Sequence, residues 1–85
     1  MISRQKQEQR MTALKKRSFS VAGHRTSIAL EAEFWAALDE ASHDERMPLA
    51  AVVARVDAKR GERPLASALR VYALLRALGR AQPSL

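Results

Sequence analysis

Residues 24–30, His-Arg-Thr-Ser-Ile-Ala-Leu, constrain this chain more than any other stretch: they alternate with the period of a β-strand, and helical sequence follows at once. Thr26, Ile28 and Leu30 fall on one side of the pleat, and Arg25, Ser27 and Ala29 on the other. The rest of the chain carries helix signals. A lone strand leaves its backbone N–H and C=O groups without partners, at about 1–3 kcal/mol for each one buried. A second copy of the strand from another chain is the simplest remedy. The segment therefore predicts a homodimer, mostly α with one β-strand per chain, and makes the polar side of its strand the candidate working surface.

Length points the same way. At 85 residues a monomeric core is close to marginal, and dimerisation enlarges it. The chain has no cysteine, which excludes disulfides and thiolate metal sites and suits a reducing cytoplasm, the expected location. No apolar signal-peptide core follows Met1, and no stretch reaches the roughly 18–20 apolar residues of a membrane span. A soluble protein with no membrane partner is expected.

The formal charge of +6 is unevenly placed. Residues 1–30 hold seven basic side chains against Glu8 alone, whereas residues 31–85 balance at eight of each sign. The excess sits on the strand and the segment before it, which is how a polyanion-binding surface is built.

Three parts follow from composition. Residues 1–16 are rich in Gln, Lys and Arg and read as a flexible basic arm, with Met11 a plausible alternative start. Residues 17–60 form the core, and residues 61–85 add a C-terminal helix and tail. Within the core, Phe19 and Val21 alternate weakly before Gly23 breaks the run at a bend where positive φ is useful. Residues 18–22 either continue the strand or fold back over the helices. A first helix begins after Leu30, with Phe34, Leu38 and Ala41 on its apolar face and Trp35 beside them. The chain turns at Arg46-Met47. Pro48 at a first helical position opens a second helix that buries Leu49, Val52, Val53 and Val56, and Gly61 follows its end. A third helix spans about Leu65 to Leu78, with Gly79 as its stop. Its apolar residues cover more than one stripe, so it is expected to meet two surfaces.

The stretch from Lys16 to Glu31, with Gly23-His24-Arg25-Thr26-Ser27 at its centre and Phe34-Trp35 after it, resembles a family of short bacterial ribbon-helix-helix proteins. Residues 48–57 and the Leu65-Ala66-Ser67-Ala68-Leu69-Arg70-Val71 run look like that family too, and the resemblance covers roughly residues 16–78. It implies an intertwined homodimer whose intermolecular two-stranded antiparallel ribbon enters the major groove of double-stranded DNA, as in Arc and the methionine repressor. The additional C-terminal helix would extend that fold. Each reading residue then occurs twice, on a pseudo-palindromic site, and the function implied is transcriptional repression by occupancy.

Carried onto this chain by register, the base-contacting positions are Arg25, Ser27 and Ala29. Arg25 can fork onto guanine O6 and N7, Ser27 can donate or accept, and Ala29 can touch a thymine methyl. Lys15, Lys16, Arg17 and His24 are candidates for phosphate. So are Arg46 and the Leu49 amide at the start of the second helix, where Met47-Pro48-Leu49 lacks the usual Ser, Thr or Asn cap. The dimer core is expected to hold Ile28, Leu30, Phe34, Leu38, Leu49, Val52, Val53 and Val56.

Catalysis finds no support. His43-Asp44-Glu45 has no nucleophile at a recognisable spacing, His24 and His43 make no metal motif, and no Gly-rich phosphate loop occurs. No enzyme activity, metal or cofactor is expected. The leading alternative is an antitoxin-type or adaptor protein whose residues 65–78 bind a protein partner, and dimers pairing into larger oligomers are also compatible with that helix.

Overall fold

The computed structural model of the protein describes residues 13–81. The expectations for an arm and for Met11 fall mainly on residues outside this range. Two strands, rather than one, precede the helices. β1 (Lys15–Val21) and β2 (His24–Leu30) pair as an antiparallel hairpin, with Lys15 opposite Leu30 and Val21 opposite His24. The single strand expected from the sequence is therefore corrected. β1 supplies the backbone partners along one side of β2 from within the same chain.

The turn explains why the hairpin closes there. Ala22 and Gly23 both take positive φ, 53° and 82°. Two-residue loops with both φ values positive carry the twist that lets adjacent strands pair without splaying. Gly23 adopts this region freely, whereas Ala22 does so at a cost.

The register assigns every side chain a face. Lys15, Arg17, Phe19 and Val21 share the helix side with Leu30, Ile28, Thr26 and His24. Lys16, Ser18 and Ser20 share the outer side with Ala29, Ser27 and Arg25. Val21, Ile28 and Leu30 are buried, which fixes this register, because a one-residue slip would turn all three to solvent.

Three helices cover the inner side. α1 (Ala32–Glu45) buries Trp35, Leu38 and Ala41; α2 (Leu49–Lys59) buries Val52, Val53 and Val56. α3 (Leu65–Ala81) contributes Ala68, Leu69 and Ala73. Most of the residues expected in a dimer core are thus buried within one chain, with Phe34 and Leu49 half-buried against them. α3 brings Leu69 into the cluster formed by the hairpin and the first two helices.

The helix ends follow local chemistry. α1 stops at Arg46, which sits in the left-handed region (φ 57°), donates its N–H to the His43 carbonyl, and is followed by Met47 donating to the Ser42 carbonyl. This pair of bonds is a Schellman cap, here without the usual glycine. Pro48 is the N-cap of α2, one position before the expected first helical residue, and its carbonyl accepts from the Ala51 and Val52 N–H groups. Gly61, at φ 62°, terminates the α2 region as expected. Gly79 does not terminate α3, which runs on to Ala81. A helical glycine costs only about 1 kcal/mol, so it stops a helix only where the chain turns out of it. Among the described residues no helix is long and apolar enough to cross a membrane.

Candidate nucleic-acid interface

The outer side of the hairpin is a row of small polar and basic side chains. Lys16, Ser18, Ser20, Arg25 and Ser27 are exposed on it, with Ala29 half-buried. The Ser18 and Ser27 hydroxyls hydrogen-bond across the strands at 2.8 Å, and either one can donate. Residues 15–30 contain no Asp or Glu. A ribbon face with cations and hydroxyls and no carboxylate is electrostatically suited to an anionic partner.

Four arginines of the helical part are neutralised within the fold. Arg70 bonds Glu31 at 3.0 Å, Arg60 bonds Asp57 at 2.7 Å, and Arg55 bonds Glu45 at 3.2 Å. Arg76 reaches both Asp44 (2.8 Å) and Glu45 (3.2 Å). Arg25 makes no ion pair among the described residues. Its charge is therefore available, and Glu31, a conceivable partner, is engaged by Arg70 from α3.

Arg17 has another setting. It lies on the helix side of β1, forks onto both Asp39 oxygens at 3.0 and 3.3 Å, and stacks 4.8 Å from the centre of the Trp35 ring. Trp35 also donates its indole N–H to the Lys15 carbonyl at 2.7 Å and packs against Phe19, with ring centres 5.9 Å apart. This cluster clamps β1 onto α1 and gives the ribbon a rigid backing.

The remaining candidates are distributed as follows. Lys15 is exposed at the start of β1, and His24 is exposed beside the turn, on the same side of the pleat as Val21. Arg46 is exposed at the α1–α2 turn, where Ser42, His43, Met47 and Pro48 join it around a polar hollow. With Ala51 and Val52 folded back on Pro48, the amides of Leu49 and Ala50 are left for an outside acceptor. The structure thus gathers Lys16, Arg25, Ser27 and Ala29 on one face, puts Arg17 and His24 on the other row, and leaves Arg46 and Leu49 at a separate turn. Ser18 and Ser20 were not singled out from the sequence. Their spacing at every second residue after Lys16 was the available signal.

A hairpin with an acid-free outer face, two helices joined by a tight turn and a further helix can be compared with known families. A family model for the ribbon-helix-helix domain matches residues 14–77. The chain belongs to the ribbon-helix-helix family. Ribbon-helix-helix domains generally bind DNA and dimerise, and the family is typically non-enzymatic and regulatory. No curated protein and no solved structure matches the chain significantly. In this ribbon-helix-helix chain the matched span takes in both strands, all of α1 and α2, and α3 as far as Ala77.

Proposed function

We propose that this protein is a sequence-specific DNA-binding regulator that represses transcription in the bacterial cytoplasm by occupying an operator. The supporting observation is the outer ribbon face, where Arg25 and Ser27 stand exposed on a strand region with no acidic residue. Arg25 would fork onto guanine, Ser27 would bond a neighbouring base edge, and Ala29 would lie against a thymine methyl. Lys15, Lys16, His24, Arg46 and the Leu49 amide would engage phosphates. Arg17 would reach a phosphate only by releasing Asp39.

The second chain enters through the side of β2 away from β1, which has no strand on it among the described residues. Open strand edges are templates for pairing. In the proposed homodimer β2 lies antiparallel to its symmetry mate, giving the intermolecular ribbon, with each β1 on the outside. This arrangement preserves the packing present within each chain.

The test is selection of bound duplexes from a random pool at near-physiological salt. Enrichment of a two-fold-symmetric motif, with a solution mass of two chains, supports the reading. Binding that fades with salt and prefers no sequence rejects it.

A second reading rests on α3. Leu74, Leu75 and Leu78 are 53%, 60% and 49% exposed on one side of the helix. Arg70 and Arg76 of the same helix are already paired to acids, so this side would take an apolar protein partner, as an antitoxin or adaptor requires. Changing all three leucines to Glu distinguishes the readings. DNA binding and dimer mass survive if the ribbon acts alone, and capture of a protein partner is lost if α3 is the working surface.

A further inference from the structure

We infer that the two strands of the hairpin divide the work on DNA: β2 faces the base edges, while β1 lies along the phosphate walls of the groove and holds them through Lys16, Ser18 and Ser20. This rests on the proposed DNA-binding dimer and extends the phosphate role given there to Lys16 along the outer row of β1, to Ser18 and Ser20.

Strand spacing carries the argument. Neighbouring strands lie about 4.8 Å apart, so the order β1–β2–β2–β1 in a dimer puts the two outer strands about 14 Å apart. The major groove is about 12 Å wide. The inner pair of strands therefore fits within the groove, and the outer pair falls over its sugar–phosphate edges. The residues β1 presents outward are suited to that position. Lysine and serine are common donors to phosphate oxygens, and they occur here at alternate positions on the exposed side with no acid among residues 15–30. The register sets Lys16 beside Ala29 and Ser20 beside Arg25, so each end of the reading strand has a phosphate donor next to it.

Ser18 joins the two functions. Its hydroxyl is bonded to that of Ser27 at 2.8 Å. With Ser27 donating, Ser18 keeps its hydrogen for a phosphate on the β1 side, and Ser27 is left with its oxygen to accept from a base edge. Ser18 acts here as a positioning residue for Ser27.

The experiment measures affinity for a selected duplex and for an unrelated duplex across a salt series, and repeats the duplex selection, using the full chain and its Ser20→Ala and Lys16→Ala variants. Both variants should bind every duplex more weakly, by about two- to tenfold, and select the wild-type motif. Lys16→Ala should also lower the slope of log affinity against log salt by about 2, one phosphate for each copy, whereas Ser20→Ala leaves the slope unchanged. Ser20→Thr, which keeps the hydroxyl, should restore binding and separate loss of the donor from damage to the strand. A changed motif in Ser20→Ala would place β1 over bases and overturn the inference. Unchanged affinity for both duplexes in both variants would place β1 clear of the DNA and overturn it equally. If the wild-type chain selects no motif, the DNA-binding reading itself fails and this inference with it.

Discussion

The indole N–H of Trp35 donates to the carbonyl of Lys15 at 2.7 Å, tying the first residue of the hairpin to the first helix across a separation of 20 residues. The ring that makes this bond is 2% exposed and also supports Phe19 and the Arg17 guanidinium. One side chain therefore fixes the start of β1, and with it the outward direction of Lys16 and Ser18.

Replacing Trp35 by Phe keeps most of the ring and removes the donor. The expected loss is about 1–3 kcal/mol from the missing bond and the small void, measured by denaturant unfolding. Amide exchange should rise first at residues 15–17, because their anchor is gone while the turn at Ala22-Gly23 remains. Uniform loss of protection along β1 and β2 would show that the hairpin opens as one unit instead.

Ala22 offers the opposite effect. Its φ of 53° is one that alanine tolerates poorly and asparagine accepts, and Asn-Gly is the preferred pair in such a turn. Ala22→Asn should stabilise the fold by about 0.5–1 kcal/mol, raising the melting temperature by several degrees. Ala22→Val, β-branched at the same φ, should lower it.

Arg25→Ala should leave the unfolding free energy within about 0.5 kcal/mol of wild type, because the side chain is exposed and makes no ion pair among the described residues. Specific binding should fall by about 1–3 kcal/mol for each copy of Arg25, about five- to 150-fold per half-site, with relaxed preference at one base of each half-site. A drop in stability as large as the drop in affinity would assign Arg25 a structural role.

Glu31 gives the fold a dependence on acid. Its own backbone N–H, and then the Arg70 side chain, hold its carboxyl below the ordinary value of 4.5. A carboxylate with a depressed folded-state pKa contributes stability that is present above the unfolded value and is lost as pH falls through the folded one. The contribution is small because the group is exposed. Glu31→Gln should melt below wild type near neutral pH, and the difference should close as pH falls below the ordinary carboxylate value and through the depressed folded one. A difference that persisted at pH 2 would show that Gln acts through packing rather than charge.

The sequence by itself determined the elements whose physics is local. The alternation at 24–30 specifies β2 and its two faces, so Arg25 and Ser27 could be placed outward before any fold was known. The apolar spacing of Leu38 and Ala41, of Val52, Val53 and Val56, and of Leu69 specifies which helix sides are buried. Gly61 marks a boundary because its backbone conformation there is one few other residues adopt.

Tertiary structure decided what those elements meet. Lys15 and Arg17 lie on the inner row of β1, and as charged residues they disguise its alternation. They are held there by residues far along the chain: Trp35 donates its indole N–H to the Lys15 carbonyl and stacks under the Arg17 guanidinium, and Asp39 takes the forked ion pair from Arg17. No local pattern reports such contacts. For the same reason the place of Leu69 in the core was not legible: α3 packs it against the hairpin and helices, a long-range contact that periodicity cannot anticipate. Local preference set the faces, and distant packing chose their partners.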